Sequence, residues 1–396
     1  MYDLYVGIDV AKGTSSAHGL DGGGSRRFTL TFRMDSEGFA ALLGAIEASS
    51  DDVARVAVAM ESTACYHMNL FSYLTAKGMH VVIVNPLLIS NFVKLSLRKT
   101  KTDKKDALVI AQFLLMNCES LGKSAVTADI ADLRDLARQR ESLVDQMTSI
   151  KSDAGRLLSI TFPELESIAG LFTKSMLRLL SRYPSAEAIR KASVTSISKI
   201  IIPGSYGKNT LETVRRIKEA AETSVGTSSR TKEMVLKQKA GILMQLDEHL
   251  KEITSVLMER CREMMIEDME ILKSVQGIGD KTSVNFLLEM GGDIRHYKSH
   301  KKLIAMAGLD PSVYQSGKYE GSSRISKRGN RHLRRVIWLM AVKVIQFESF
   351  FKEYYLKRRE DGLPYKKAVL ATAHKLIRIL FAMLTKKTRF STEASS

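Results

Sequence analysis

Residues 4–10 read Leu-Tyr-Val-Gly-Ile-Asp-Val. Every position but one is apolar or small, the pattern of a strand enclosed on both faces of a sheet. The exception is Asp9. A carboxylate in such a strand is costly unless it is paired or metal-bound. A capped turn or an ion pair with Lys12 would meet that need locally. A cation shared with other acids would meet it as well.

The following segments supply a sheet for this strand. Ser15–Leu20 and Arg26–Arg33 flank Asp21-Gly-Gly-Gly24, a hairpin signal. An amphipathic helix is expected over Glu37–Glu47, a strand over Val53–Met60 ended by Glu61, and a helix over about 66–77. His80-Val-Val-Ile-Val-Asn85-Pro86 reads as a third buried strand. Strands alternating with helices after an opening hairpin indicate a mixed α/β sheet.

Lys101-Thr-Asp-Lys-Lys-Asp106-Ala-Leu-Val-Ile-Ala-Gln then opens a helix. Asp103 and Asp106 are three residues apart and share one helical face. Lys99, Lys101, Lys104 and Lys105 surround them, as at a cation site beside a polyanion. The plainer alternative is an acidic first turn that complements the helix dipole. Asp9 lies inside the first strand, Glu61 at the end of a later one, and the aspartates follow the last. Ligands of open α/β sheets gather at strand ends. Four carboxylates there repel one another unless cations sit between them, and hard oxygen donors suit Mg²⁺ or Mn²⁺. Two such ions clamp the attacking and leaving oxygens of a phosphodiester. Taken alone, Glu61 is equally a surface charge.

Beyond Leu121 the pattern turns helical. Residues 127–160 carry apolar residues at 133, 136, 143, 147, 150, 154 and 157, interrupted by Arg140. A second long helix is expected over about 230–268, with shorter helical pieces between. Two long amphipathic helices around a helical insert fit an antiparallel hairpin or an oligomerisation arm, and equally a plain internal bundle. Further on, Gly277-Ile-Gly279-Asp-Lys281 joins two helical segments. That turn resembles a helix–hairpin–helix module, which offers backbone N–H groups to a phosphate. A loop rich in Gly, Ser and base spans Tyr314–Asn330, and helices follow from Arg331 and over 364–385. The last ten residues read as disordered.

Net charge is +17, but residues 294–396 hold 23 Lys+Arg against 7 Asp+Glu. The first three quarters are nearly neutral, so the excess reads as a nucleic-acid surface. Arg324, Lys327, Arg328, Arg331, Arg334 and Arg335 are the candidate phosphate contacts, with Gly277, Gly279 and Lys281 at the turn. No run is apolar enough to span a bilayer, and the N-terminus does not read as a signal peptide. Cys65, Cys118 and Cys261 lie far apart, which fits a reducing cytoplasm. The expected divisions are 1–122, 123–268 and 269–396.

An ordered set of motifs carries a resemblance over nearly the whole length. The N-terminal marks are Tyr5-Val-Gly-Ile-Asp9-Val-Ala-Lys12, Met60-Glu61-Ser-Thr-Ala-Cys-Tyr66, Val84-Asn85-Pro86 and Lys101-Thr-Asp103-x-x-Asp106-Ala. The C-terminal marks are Val275-x-Gly277-Ile-Gly279-x-Lys-Thr, Ala307-Gly-Leu-x-Pro311, Tyr314-Gln-Ser316-Gly317 and Ile325-Ser-Lys327-x-Gly329-Asn-x-x-Leu333-Arg334. The chain resembles the DEDD transposases of bacterial insertion sequences, the family numbered one hundred and ten, which is similar to the Piv DNA invertases. The resemblance implies a RuvC-like, RNase H-like N-terminal domain, a helical coiled-coil middle and a mainly helical C-terminal transposase domain. It implies Asp9, Glu61, Asp103 and Asp106 as the metal-binding tetrad, and Ser316 as a nucleophile that forms a phosphoserine link to cut DNA. Composition alone leaves Ser322, Ser323 and Ser326 equally open. It further implies double-stranded donor and target DNA, a structured bridge RNA as guide, and a homo-oligomer, dimer or tetramer, with the two catalytic parts meeting within or across subunits. The expected setting is the bacterial cytoplasm, at the nucleoid, with no membrane partner. The helical middle is longer than in compact members, which bears on the arm and not on the chemistry. Two other readings fit the same acids: a nuclease or resolvase using metal-activated water, and a silent nucleic-acid-binding relic.

Overall fold

The computed structural model describes residues 2–61, 66–84, 89, 92, 103–121, 128–205, 207, 209–312, 315–316, 319–320 and 324–391. The chain forms two compact units, Met1–Ala128 and Asp129–Ser396. The predicted Lys99, Lys101, Asn85-Pro86, Gly317, Ser322 and Ser323 lie outside the described residues, as does Cys65.

The first unit is built on β1 (Leu4–Asp9), β2 (Thr14–Asp21), β3 (Arg26–Arg33), β4 (Val56–Glu61) and β5 (His80–Val84). Their order is β3-β2-β1-β4-β5. β1 pairs antiparallel with β2 and parallel with β4, and β4 pairs parallel with β5. This mixed sheet is compatible with an RNase H-like domain. β1 is central, which is why its sequence is apolar on both faces. On one face Leu4, Val6, Ile8, Val56, Val58 and Met60 pack with Leu42 and Ile46 of α1 (Ser36–Glu47) and with Leu70 and Leu74 of α2 (His67–Ala76). The Asp35 carboxylate starts α1 by accepting from the Gly38 N–H at 2.9 Å. On the other face Tyr5, Ala57, Ala59, Val82 and Val84 pack with Ile110 and Leu114 of α3 (Asp103–Leu121).

Gly7 sets the distance of α3 from the sheet. A Cβ built there would lie 2.2 Å from the Ala111 nitrogen and 2.3 Å from the Ala107 carbonyl oxygen. Any side chain would push the helix off the strand.

The second unit is mostly helical. α4 (Ala128–Thr161) and α10 (Arg230–Lys273) run antiparallel. Asp153 pairs with Lys239 at 3.0 Å, and the Thr227 N–H donates to the Ile160 carbonyl at 2.8 Å. Arg140, the charge that interrupts the apolar seam of α4, donates from Nε to the Thr254 hydroxyl of α10 at 3.1 Å. α10 kinks at Met265, whose φ is −143° and ψ 32°. Five short helices fill the insert: α5 (Leu165–Ile168), α6 (Lys174–Arg182), α7 (Ala186–Lys191), α8 (Val194–Ile201) and α9 (Leu211–Glu222). Thr173, Ser185, Ser193 and Thr210 each cap the helix that follows, so polar caps cut the insert into pieces. Their apolar faces, with Phe162, Leu179, Ile197 and Leu243, form one core.

The chain continues through α11 (Asp280–Glu289), α12 (His300–Met306), two short strand pairs, α13 (Arg331–Phe347), α14 (Ser349–Glu360) and α15 (Tyr365–Lys386). α15 corrects one expectation. Its best window has a mean hydropathy of 1.5, enough by length and composition for a membrane span. Half of that window is buried in the unit, including Leu376, Ile377 and Leu380. It is apolar because it is a core helix packed on α13 and α14. The expected disorder of the last ten residues does not hold as far as Ser391. Phe390 stacks near Phe351, its N–H donates to the Ser274 hydroxyl at 2.8 Å, and Lys387 pairs with Asp268.

Gly7→Ala is expected to destabilise the chain by about 2–3 kcal/mol, the usual cost of overpacking. Gly44→Ala in α1, where an added Cβ meets nothing within 4 Å, is expected to stabilise it by up to about 1 kcal/mol. Thermal unfolding of the two variants checks the pair. Equal effects would remove the close approach of α3 as the explanation.

Candidate active site

Strand alternation places Asp9 on the face that carries Tyr5 and Gly7, and Glu61 on the face that carries Ala57 and Ala59. These are the same face of the sheet, the one that α3 covers. In the parallel register Ile8 lies opposite Met60, so Asp9 and Glu61 follow at the carboxyl ends of adjacent strands. Both are half-buried.

α3 runs antiparallel to β1. Tyr2 lies near Cys118, where the thiol adds to burial in raising the phenol's pKa, while Gly7 lies against Ala107 and Ala111. The start of the helix therefore points toward the Asp9 end of the strand. Asp106 sits one residue before Ala107, half-buried, and Asp103 opens the helix. The Asp103 side chain lies outside the described residues. Among the described residues no three His, Cys, Asp or Glu side chains come close enough to form a ready cation cluster. The strand register sets Asp9 and Glu61 at one end of one face, and the start of α3 is directed toward that end. Their donor set is all carboxylate oxygen, the chemistry that fits Mg²⁺ or Mn²⁺.

The glycine-rich loop of the second unit proves to be a two-tier hairpin. β6 (Pro311–Ser312) pairs with β9 (Arg324–Ile325), and β7 (Gln315–Ser316) pairs with β8 (Tyr319–Glu320). Ser316 is the last residue of β7, opposite Tyr319. Ser326 is placed differently. Its hydroxyl donates to the Asp310 carboxylate at 2.6 Å, and its N–H donates to the Asp310 carbonyl at 2.8 Å, closing the root of the hairpin. Gly329 completes that root with φ 148°. A Cβ there would lie 2.4 Å from the Met306 carbonyl oxygen.

The candidate phosphate contacts fall into two groups. Lys327 and Arg328 are exposed, and Lys327 has a φ of 52°. Lys281 is exposed in the first turn of α11, and a Cβ at Gly279 would meet open space. Gly277, at φ 99°, is needed for packing, because a Cβ there would lie 2.8 Å from the Lys343 carbonyl oxygen. Arg334 donates to the Ala307 carbonyl at 2.8 Å. Arg335 pairs with Glu141 at 2.5 Å and with Asp145 at 3.0 Å. Arg331 donates to the His332 ring at 3.3 Å, and the Arg324 side chain lies outside the described residues.

Residues 6–163 match a model of the DEDD transposases of the IS110 group, and residues 269–356 match the model of the IS116/IS110/IS902 family of transposases. Together they cover more than half of the chain. The chain belongs to the IS110/IS116 family of transposases. It is 28% identical to an uncharacterized 44.8 kDa protein of insertion element IS116 from Streptomyces clavuligerus, over 98% of this chain and 96% of the relative. It is 25% identical to an uncharacterized 42 kDa protein of insertion element IS900 from Mycobacterium paratuberculosis, over 96% and 95%. It is 23% identical to the pilin gene-inverting protein of Moraxella bovis, over 98% of each chain. Family membership makes this a DNA-acting enzyme of an insertion sequence.

One residue of this transposase escaped the sequence reading. Glu289, 3% exposed, ends α11. Arg138 of α4 donates to both of its carboxylate oxygens at 2.8 Å, and the Asn330 amide donates to it at 2.6 Å. The Asn330 amide oxygen in turn accepts the His332 and Leu333 N–H groups that start α13. Burial alone would raise the Glu289 pKa, but the Arg138 and Asn330 hydrogen bonds hold it below the ordinary value of 4.5. The signal in the sequence was an acid closing the apolar run Val284-Asn-Phe-Leu-Leu-Glu289-Met.

Glu289→Gln is expected to cost about 2–3 kcal/mol, because a buried charge-assisted pair loses its anion. A depressed carboxylate stabilises the fold above its unfolded pKa, and that stability is lost as pH falls through its folded value. The gap between wild type and variant should therefore be full near neutrality and shrink below about pH 4.5. Chemical unfolding at a series of pH values checks this. A gap independent of pH would rule out the carboxylate's charge as its source.

Proposed function

We propose that this transposase cuts and rejoins DNA by transesterification, with Ser316 as nucleophile and Asp9, Glu61, Asp103 and Asp106 as the ligands of divalent metal. The observation that carries the metal half is the placement of Asp9 and Glu61 on one face of adjacent strand ends, with the start of α3 brought toward them by Gly7. The first unit is then a RuvC-like catalytic domain. Bound Mg²⁺ or Mn²⁺ would polarise the scissile phosphate and stabilise the charge that develops on its oxygens.

The serine half rests on the hairpin. Ser316 ends one strand of the outer pair, opposite Tyr319, while the Ser326 hydroxyl is held at the root. In the first step the Ser316 oxygen bonds to phosphorus and loses its proton to a base. The bond from phosphorus to one sugar oxygen breaks, and that oxygen takes up a proton. In the second step a sugar hydroxyl of another strand bonds to the phosphorus and loses its proton, while the bond from phosphorus to the serine oxygen breaks and that oxygen takes up a proton. One phosphodiester is broken and one formed, so no external energy source is needed. A serine hydroxyl is a weak nucleophile at neutral pH, which makes its deprotonation the demanding event.

Lys281, Lys327, Arg328 and Arg331 are proposed to contact the nucleic-acid backbone, and a structured RNA from the element is proposed to choose the DNA sites by base pairing. The concentration of positive charge in residues 294–396 supports both roles. Assembly into a dimer or tetramer is proposed to use the long α4–α10 hairpin.

The decisive experiment is trapping of the covalent intermediate. Full-length protein is incubated with Mg²⁺, the element's flanking noncoding RNA and donor and target DNA, then denatured. The expected result is protein attached to DNA in wild type, mapped to Ser316, and absent in Ser316→Ala and Asp103→Ala. DNA cut equally well by Ser316→Ala without an adduct would overturn the serine mechanism in favour of metal-activated water.

A further inference from the structure

A cavity of about 420 Å³ lies at the root of the Ser316 hairpin, between α12, α14 and α15. Asp310 and Pro311, where the hairpin begins, form part of its wall. Lys301, Lys375 and Arg378 also line it, and none of the three was singled out by any motif. Lys301 and Arg378 are exposed at its rim, and Lys375 is half-buried.

The balance of charge is unusual. The Lys375 ammonium lies 3.8 Å from the centroid of the Phe350 ring and 4.4 Å from that of Tyr354. The two ring faces hold a cation by their quadrupoles. A quadrupole has no net charge, so the ammonium is positioned without being neutralised. Burial and the neighbouring Arg378 and Arg358 charges lower the Lys375 pKa, while Glu353 acts in the other direction. Arg358 itself pairs with Asp361. Among the described ion pairs none involves Lys301, Lys375 or Arg378. The one carboxylate in the wall, Asp310, accepts the Ser326 hydroxyl. Three cations therefore face the cavity against a single acid.

A second polar cavity in the same unit provides the contrast. It lies between α4 and α13 and is lined by Glu141, Asp145, Arg331, His332 and Arg335. There Glu141 meets both His332 and Arg335, and Asp145 meets Arg335. Its His332 and Arg335 already have anions. The cavity at the hairpin root lacks them.

We propose that the cavity at the hairpin root binds one backbone phosphate of a nucleic-acid strand through Lys301, Lys375 and Arg378. Bound there, the phosphate fixes a strand next to the base of the hairpin that carries Ser316. The inference rests on the reading of the chain as a nucleic-acid enzyme and adds an anchoring point. The ligand chemistry is a phosphodiester, whose source is DNA or RNA.

The test is fluorescence anisotropy of full-length protein over a series of salt concentrations, with duplex DNA in one arm and the element's flanking noncoding RNA in the other. The variants are Lys301→Gln with Arg378→Gln, Lys375→Gln, and Arg335→Gln as a paired-cation control. The double variant is expected to weaken binding and to lower the slope of log K against log salt by about one unit. Lys375→Gln should act in the same direction, with Lys375→Arg restoring the slope. Arg335→Gln should leave it unchanged. A loss confined to one arm identifies that nucleic acid as the source, and a loss in both arms identifies a phosphate site shared by the two. Thermal unfolding of the double variant should match wild type, since both side chains are exposed. Unchanged slopes in both arms would overturn the cavity while leaving the proposed function standing. Wild-type protein that binds neither nucleic acid would overturn both.

Discussion

The close contact of α3 with β1 at Gly7 is the constraint on which the candidate metal site depends. Two carboxylates at adjacent strand ends are a common consequence of sheet register. They become half of the proposed tetrad only if a helix carrying the other two arrives at the same end of the same face. Strand alternation fixes the face, since Tyr5, Gly7 and Asp9 share it with Ala57, Ala59 and Glu61. Small residues at 7, 57 and 59 let the helix backbone lie low on the strands. Its antiparallel course then directs the start of the helix toward the Asp9 end of the strand rather than toward the opposite end. A larger residue at position 7 would leave every acid in the sequence and still dissolve the proposed site.

The second unit depends on a different kind of interaction. Glu289 is a buried carboxylate that joins α4, the end of α11 and the start of α13 through Arg138 and Asn330. An ion pair of this kind adds little net stability when set against apolar packing, but it is expensive to break. Its value lies in register. Asn330 closes the segment that returns from the Ser316 hairpin, so the anchor that starts α13 also fixes where the hairpin's root ends. Glu141 and Asp145 act in the same way on His332 and Arg335.

Much of the first unit was legible because its elements announce themselves locally. The run at 4–10, the glycines at 22–24 and the strand at 80–84 have the periods and turn residues of their structures. The paired helices α4 and α10 were legible from their three–four spacing, and even the intruding Arg140 marked the place where one helix hydrogen-bonds to the other. The strand pairs of the Ser316 loop were not legible. They are two residues long and carry no apolar alternation, so their pairing follows from the root that Ser326, Gly329 and Asp310 close. α15 was legible as a helix over 364–385, but its apolar character was not, because that follows from its packing on α13 and α14.

The same limit applies to a count of basic residues, which does not show which charges are already paired. Arg334 and Arg335 stand in the most basic motif of the chain, yet a carbonyl and two carboxylates of the same unit already hold them. Lys301, Lys375 and Arg378 are scattered over two helices and form no motif, yet they face one cavity with a single acid in its wall. Attraction for a polyanion depends on uncompensated charge, not on the number of cations in a stretch of sequence. Compensation is a tertiary property. It comes from residues such as Glu141 and Asp145, nearly two hundred positions away, that no local reading of the basic segment includes.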